Sequence, residues 1–292
     1  MCMTLCTIIL GTLGSFSPDD RDAIFAVLMA SYVLSGYAAG SCCGVMYKNF
    51  GGRDARTAVL WLSIAFPLLV FGVIVILNCV AANQEKHEHF PVSALLRYLF
   101  MWLGISSPLV YMGFQRGFNV MKVEYPSATN FTPRTIPRQP LYLRSIFTMS
   151  AGSATAFSFC FYEVSNVMQS VWIDEYYYIF GLLAICTVSL FLTSATMSVF
   201  MNYFHLSHED YRWWWRSYFT GAFTAFEVFL YSIYYATKFE TKEPIVYVYY
   251  FGYMSLLCFA LSIMLGTFSF IVTFLFNKSL YKGFVSRCLK LS

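Results

Sequence analysis

Long apolar runs, nearly free of charge and separated by short polar connectors, leave this chain few ways to fold. They cover residues 1–16, 23–47, 57–81, 91–114, 145–171, 176–206, 217–237 and 244–276. A helix needs about 20 mainly apolar residues to cross a hydrocarbon core about 30 Å thick. Every run except the first reaches that length. The runs are continuous rather than short and alternating, which predicts helices and not barrel strands. Only 12% of the residues are charged, against about 25% in a soluble domain, so a water-facing surface cannot be assembled. The expected fold is all-α: a polytopic transmembrane helical bundle of about eight membrane segments. The first segment is read as incomplete, a helix whose beginning is missing.

Turn residues mark the connectors: SFSPDDRD at 15–22, NFGGRD at 49–54 and TPRTIPRQP at 132–140. Most connectors are short, so neighbouring helices are expected to be adjacent and antiparallel. We read 1–292 as one helical domain, with a cytoplasmic connector at about 115–144 and a tail at about 277–292. Orientation follows from the positive-inside bias. Of the 19 Lys and Arg residues, only Arg21, Lys86, Arg97, Lys238 and Lys242 fall on one side. The others fall on the opposite side, which is therefore cytoplasmic and includes the C-terminus. The net charge of +4 reports this orientation, and no nucleic-acid partner is expected from it.

Between two of the runs lies YFHLSHEDYRWWWRS, residues 203–217. Glu209, Asp210, Trp213, Trp214, Trp215 and Arg216 form a juxtamembrane motif. Indole rings favour the headgroup level, half buried with the N–H in contact with water. Arginine beside them can pair with phosphate or with the adjacent acids. His205, His208 and Glu209 have the spacing of a metal-binding helix face, but interfacial hydrogen bonding is the favoured reading and no metal is assigned.

Polar groups inside the runs are the candidate functional residues. Glu163 and Glu227 are carboxyls within apolar stretches, where such groups are costly and usually face a bundle interior. They are read as lining an intramembrane polar cleft for a partner helix or an ion; hydrogen-bonded helix packing is the alternative. Gly36, Gly40 and Gly44 repeat the GxxxG spacing that allows backbones to approach closely. Packing within the same bundle is the favoured use of this face, with binding of a client helix as the alternative. Pro67 and Pro108 are expected to free backbone carbonyls and kink their helices. The nine cysteines fall mostly in or beside apolar runs without a CxxC pair, and are read as small buried hydrophobes. No nucleophile–base pair, phosphate loop or dinucleotide fingerprint occurs, so neither an enzyme nor a cofactor is expected.

Several motifs together resemble the nonaspanins, the transmembrane 9 superfamily. These are the SPxxR turn (Ser17, Pro18, Arg21), the YKxFGG loop (Tyr47, Lys48, Phe50, Gly51, Gly52), and the connector motif that includes Pro133, Arg134, Pro137 and Gln139. Glu163 with Trp172, the YYxFG start at Tyr177, the EDYxWWWRS turn, the YFGY start at Tyr250 and the GTxxF stretch at Gly266 complete the series. The resemblance covers nearly the whole chain and is to the family's C-terminal membrane half. It implies an integral protein of Golgi and endosomal membranes, cycling to the plasma membrane. It also implies a trafficking role: binding glycine-rich or polar transmembrane segments of client proteins and promoting their surface delivery. The partners implied are the lipid bilayer, those client spans, and coat or sorting machinery at the cytoplasmic loops. Family tails end in a Lys-x-acid signal, whereas this sequence ends Lys290-Leu291-Ser292. Glu227 stands where the family usually carries Tyr. The competing reading is a proton- or cation-coupled transporter or channel using Glu163 and Glu227.

Overall fold

The computed structural model describes residues 21–82, 92–120, 132, 135–172, 179–239 and 244–291. Among them every regular element is helical. The run at 1–16, the loop with His87 and His89, and Pro133 and Arg134 lie outside the described residues. The chain divides into two compact units, Met1–Val123 and Glu124–Ser292, where the sequence reading has one domain. The division falls within the 115–144 connector.

The first unit contains α1 (Arg21–Asn49), α2 (Ala55–Ala82), α3 (Val92–Phe100) and α4 (Ser107–Asn119). Helix α1 packs mainly on α4. Gly51, at φ 74°, stops α1 in a Schellman turn: its N–H donates to the Lys48 carbonyl and the Gly52 N–H to the Tyr47 carbonyl. The two prolines act as expected on their carbonyls, and the structure shows what repairs each loss. Pro67 has no N–H for the Ser63 carbonyl four residues back. The Trp102 indole N–H takes that carbonyl at 2.8 Å, while the Tyr98 hydroxyl donates to the Pro67 carbonyl at 3.3 Å. Before Pro108, residues Met101–Ser106 widen into a π-helical segment joining α3 to α4, a common way for a helix to absorb a missing N–H.

The second unit contains α5 (Ser145–Trp172), α6 (Ile179–Ser207), α7 (Trp214–Ala236) and α8 (Pro244–Leu291). Helix α7 packs chiefly on α8, α5 lies against α6 and α7, and α6 also contacts α8. The core includes Cys160, Val164, Leu190, Phe191, Ala225, Tyr250 and Leu265. Cys160, Cys186 and Cys258 are buried free thiols, as the small-hydrophobe reading expects, whereas Cys42 and Cys79 of the first unit are exposed and depart from it. Helix α8 starts at Pro244, where a missing N–H costs nothing. Its 48 residues reach roughly 72 Å, so it extends well past one bilayer.

Among the described residues, four helical stretches are long and apolar enough to span a membrane: Ala55–Val80, Leu95–Asn119, Leu183–Ser207 and Pro244–Gly283. The helices α1, α5 and α7 have 29, 28 and 23 residues. They are long enough too, but Gly, Ala, Ser and Thr dilute their apolarity. Large apolar side chains such as Leu60, Trp61, Phe159 and Tyr162 are exposed. Lipid is the solvent that suits them.

Candidate functional site

The juxtamembrane motif is built on the end of α6. There the chain closes a second Schellman turn, with Glu209 rather than glycine at the left-handed position, φ 62°. The Glu209 N–H donates to the Leu206 carbonyl at 3.1 Å and the Asp210 N–H to the His205 carbonyl at 3.0 Å. This turn drives Asp210 inward until its side chain is 0% exposed. Its carboxylate accepts from Arg216 Nη2 at 2.5 Å, from the Arg212 N–H at 3.2 Å and from Arg212 Nε at 3.4 Å. Burial pushes the carboxyl pKa up most strongly, but the Arg216 and Arg212 hydrogen bonds and charges outweigh it. The net result holds Asp210 below the ordinary carboxylate range.

Arg216, whose side chain is 13% exposed, also donates through Nε to the Ser145 hydroxyl at 2.9 Å. It therefore ties the first turn of α5 to the first turn of α7. His205 and His208 face different partners. The His205 ring contacts the Thr148 hydroxyl at 3.1 Å, and the His208 ring contacts the Phe204 carbonyl and the edge of Tyr142. Gln139, at the end of the connector, donates to the His208 carbonyl at 3.1 Å, while Pro137 is exposed. The three tryptophans divide. Trp213 stacks on Phe270 of α8 at 5.4 Å, while Trp214 and Trp215 are exposed. An interfacial reading fits the second and third rings; the first is a packing residue.

The intramembrane candidates are not brought together. Glu227 on α7 is half-buried; its Oε1 accepts from Ser153 of α5 at 2.7 Å, while its Oε2 has no partner. Glu163 sits ten residues beyond Ser153 on α5, about 15 Å along the axis. It too has a buried Oε2 without a partner. The two carboxyls thus stand at different depths instead of lining one cleft. Gly36, Gly40 and Gly44 are covered by α4 of the same chain. A Cβ at Gly40 would overlap the Val110 carbonyl, and one at Gly44 the Phe114 carbonyl. Reciprocally, Gly113 and Gly117 admit the Tyr37 and Ser41 carbonyls. This glycine face is therefore spent on self-packing, and it does not line an open cleft.

One polar feature escaped the sequence reading. Helices α6 and α8 are joined by a buried ladder: Ser194 with Ser269 at 3.0 Å, Ser198 with Thr273 at 3.0 Å, and Asn202 with Asn277 at 2.8 Å. Each rung advances four residues on both helices, so the two run parallel in fixed register. The signal was present in the i, i+4, i+8 spacing of both triplets. At the lower end of the ladder, Asn202, His205 and Arg216 line a cavity of about 10 Å³.

Comparison with known proteins adds the following. A family model described as Endomembrane protein 70 matches residues 1–244. Transmembrane 9 superfamily member 10 of Arabidopsis thaliana is 34% identical over 96% of the chain. Transmembrane 9 superfamily member 4 of Homo sapiens is 31% identical over 96% of the chain. In both cases the chain covers 44% of the relative, so it spans less than half the length of these proteins. For Transmembrane 9 superfamily member 2 of Mus musculus the values are 32%, 96% and 43%. No solved structure matches.

Proposed function

The chain belongs to the endomembrane protein 70 family, the transmembrane 9 superfamily, and on that premise we propose that it is a membrane-protein sorting factor. It is an integral helical membrane protein. In our reading it works in Golgi and endosomal membranes and binds polar or glycine-rich transmembrane spans of client proteins. It then promotes their delivery to the cell surface. Coat or sorting machinery would engage its cytoplasmic loops.

The observation that carries this reading is the Glu227 carboxyl. One oxygen is held by Ser153 and the other is without a partner, on a half-buried position of α7. A client helix poor in large apolar side chains exposes backbone and polar groups that lipid cannot satisfy. Both unpartnered oxygens are buried, so in this reading each carboxyl turns outward to take a hydrogen bond from such a group, Glu227 and Glu163 at different depths. The binding surface in this reading is the α5–α7 side of the second unit. The α1 glycine face has no part in it.

The test is recovery of clients with the full chain. Interhelical hydrogen bonds in lipid are worth about 0.6 kcal/mol and at most about 1.7, so Glu227→Ala should lower recovery about three- to twentyfold. Clients are first identified as surface proteins depleted in cells lacking this chain. If Glu227→Ala combined with Glu163→Gln leaves recovery unchanged, the carboxyls do not bind clients. A proton flux in reconstituted vesicles that disappears with Glu163→Gln would replace this reading with coupled transport.

A further inference from the structure

At one end of the first unit, the start of α2 and the end of α4 enclose a cavity of about 130 Å³. Its floor is apolar, formed by Val59, Phe114 and Phe118. Its rim is polar, formed by Arg56, Gln115 and Asn119. The apolar stretch of α2 begins at Ala55 and that of α4 ends at Asn119. The cavity therefore lies where both spans leave the hydrocarbon, at headgroup depth.

The charge around it has one dominant sign. Lys48, Arg53, Arg56 and Arg116 are gathered at this end with Asp54 as the acid. It is also the end that the charge bias predicts to be cytoplasmic. Two of the cations are engaged: Lys48 donates to the Val120 carbonyl at 2.7 Å, and Arg116 donates to the Tyr37 hydroxyl at 3.3 Å. Gln115 is held in place by its bond to the Tyr111 hydroxyl at 2.7 Å. Arg56 is exposed on the rim and makes no hydrogen bond or ion pair with any described residue.

We propose that this pocket binds an anionic glycerophospholipid. Its phosphate lies on the Arg56 guanidinium, whose fork of donors matches phosphate oxygens. The headgroup takes hydrogen bonds from Gln115 and Asn119. The upper carbons of one acyl chain lie on Val59, Phe114 and Phe118. Basic pockets between membrane helices at the cytoplasmic surface suit this ligand class. A soluble phosphate would use the rim but gain nothing from the apolar floor. A zwitterionic lipid would use the floor but bring an ammonium into a cationic site.

The experiment is native mass spectrometry of the full chain with dioctanoyl phosphatidylserine, against dioctanoyl phosphatidylcholine and soluble glycerophosphoserine. The expected result is a saturable phosphatidylserine adduct on the wild type. A charge-assisted contact of this kind accounts for at least about tenfold in occupancy, so Arg56→Gln should lose that much. Ala55→Trp, which narrows the pocket and leaves the charge, should also lose it. Arg53→Gln, outside the lining, should bind as the wild type does. The proposal is overturned if Arg56→Gln and Ala55→Trp retain full binding. It is overturned equally if phosphatidylcholine binds as well as phosphatidylserine, which indicates ordinary annular lipid. Full competition by glycerophosphoserine would indicate a phosphate site and overturn the lipid assignment.

Discussion

Replacing Asp210 with Ala removes the acceptor on which the second unit's juxtamembrane turn closes. The cost can be worked from the contacts. The Asp210 side chain is 0% exposed and that of Arg216 is 13% exposed, so the loss strands a guanidinium that water barely reaches. Removing one partner of such a buried pair costs about 3–5 kcal/mol. Arg212, whose side chain is 56% exposed, adds at most about 1 kcal/mol because solvent screens it. At about 2–4 °C per kcal/mol, Asp210→Ala should lower the unfolding temperature of the full chain in detergent by about 6–24 °C. Arg216→Ala should do the same, because it strands the fully buried carboxylate. Arg216→Lys should recover little, since one ammonium cannot reach both Asp210 and the Ser145 hydroxyl.

The pair can be isolated by a double-mutant cycle and by acid. Asp210→Ala with Arg216→Ala should lose clearly less than the sum of the single losses. The Asp210 pKa is lowered on folding from its ordinary value of 3.8. Its stabilisation is therefore complete above that unfolded value and is lost as pH falls through the lower folded value. The gap in unfolding temperature between wild type and Asp210→Asn should be constant from pH 7 to about 5 and narrow below about 4. Single variants unfolding within about 2 °C of the wild type, or a double variant that is simply additive, would refute the argument that this buried pair holds the turn.

Two further predictions concern helix packing. Gly40→Ala should destabilise the first unit by about 1–3 kcal/mol, because its Cβ meets the Val110 and Phe114 backbones and no side chain can yield. Gly72→Ala has nothing within 4 Å and should be neutral or stabilising by up to about 1 kcal/mol; equal unfolding temperatures for these two variants would contradict the close contact. Asn202→Leu should cost about 0.6 kcal/mol, up to about 1.7, and adding Asn277→Leu should restore most of it. A double variant no better than the single, in the same thermal assay, would show that the ladder does not couple α6 to α8.

How far these features can be read from sequence depends on where their physics is written. Helicity and membrane residence are carried by every residue of the apolar runs, so both are visible without a structure. The turn after α1 is announced by Gly51, whose positive φ is what glycine permits. The same turn after α6 is built on Glu209, a residue with no such preference, and nothing local announces it. That is why the sequence shows Asp210 as an acid that a neighbouring arginine can pair with, and does not show its burial. The tryptophan run shows interfacial chemistry, but no spacing rule tells which ring turns inward; the contact with Phe270 decides that for Trp213. The GxxxG spacing of α1 was legible, and so in retrospect is its complement, Gly113 and Gly117 on α4. Self-packing was the favoured reading of that spacing; what it could not supply was which helix of the bundle is the partner. Glu163 and Glu227 were legible as exceptional residues, but their separation depends on which residue of α5 meets Glu227.

In lipid an apolar side chain is equally at home inside or outside the bundle, so small and polar residues select the interior. The fully buried positions here include Ser153, Ser194, Ser198, Thr224, Ser232, Ser269 and Thr273. Many hydroxyls elsewhere satisfy themselves on a carbonyl three or four residues back, as Ser35, Ser41 and Thr187 do. Longer polar side chains do so less often, although His208 does on the Phe204 carbonyl. Accordingly, the buried polar atoms without a partner are mostly theirs: His205 Nδ1, Asn202 Oδ1, Arg216 Nη1, Glu163 Oε2 and Glu227 Oε2 among them. The first three residues line one cavity of about 10 Å³, which is room for a single water. His205 presents Nδ1 as an acceptor because the Thr148 hydroxyl already donates to the Ser145 carbonyl and so receives the Nε2 proton. Neither Glu227 nor Glu163 lines that cavity. Their unmatched buried oxygens are therefore where the proposed reading seeks a partner's polar group.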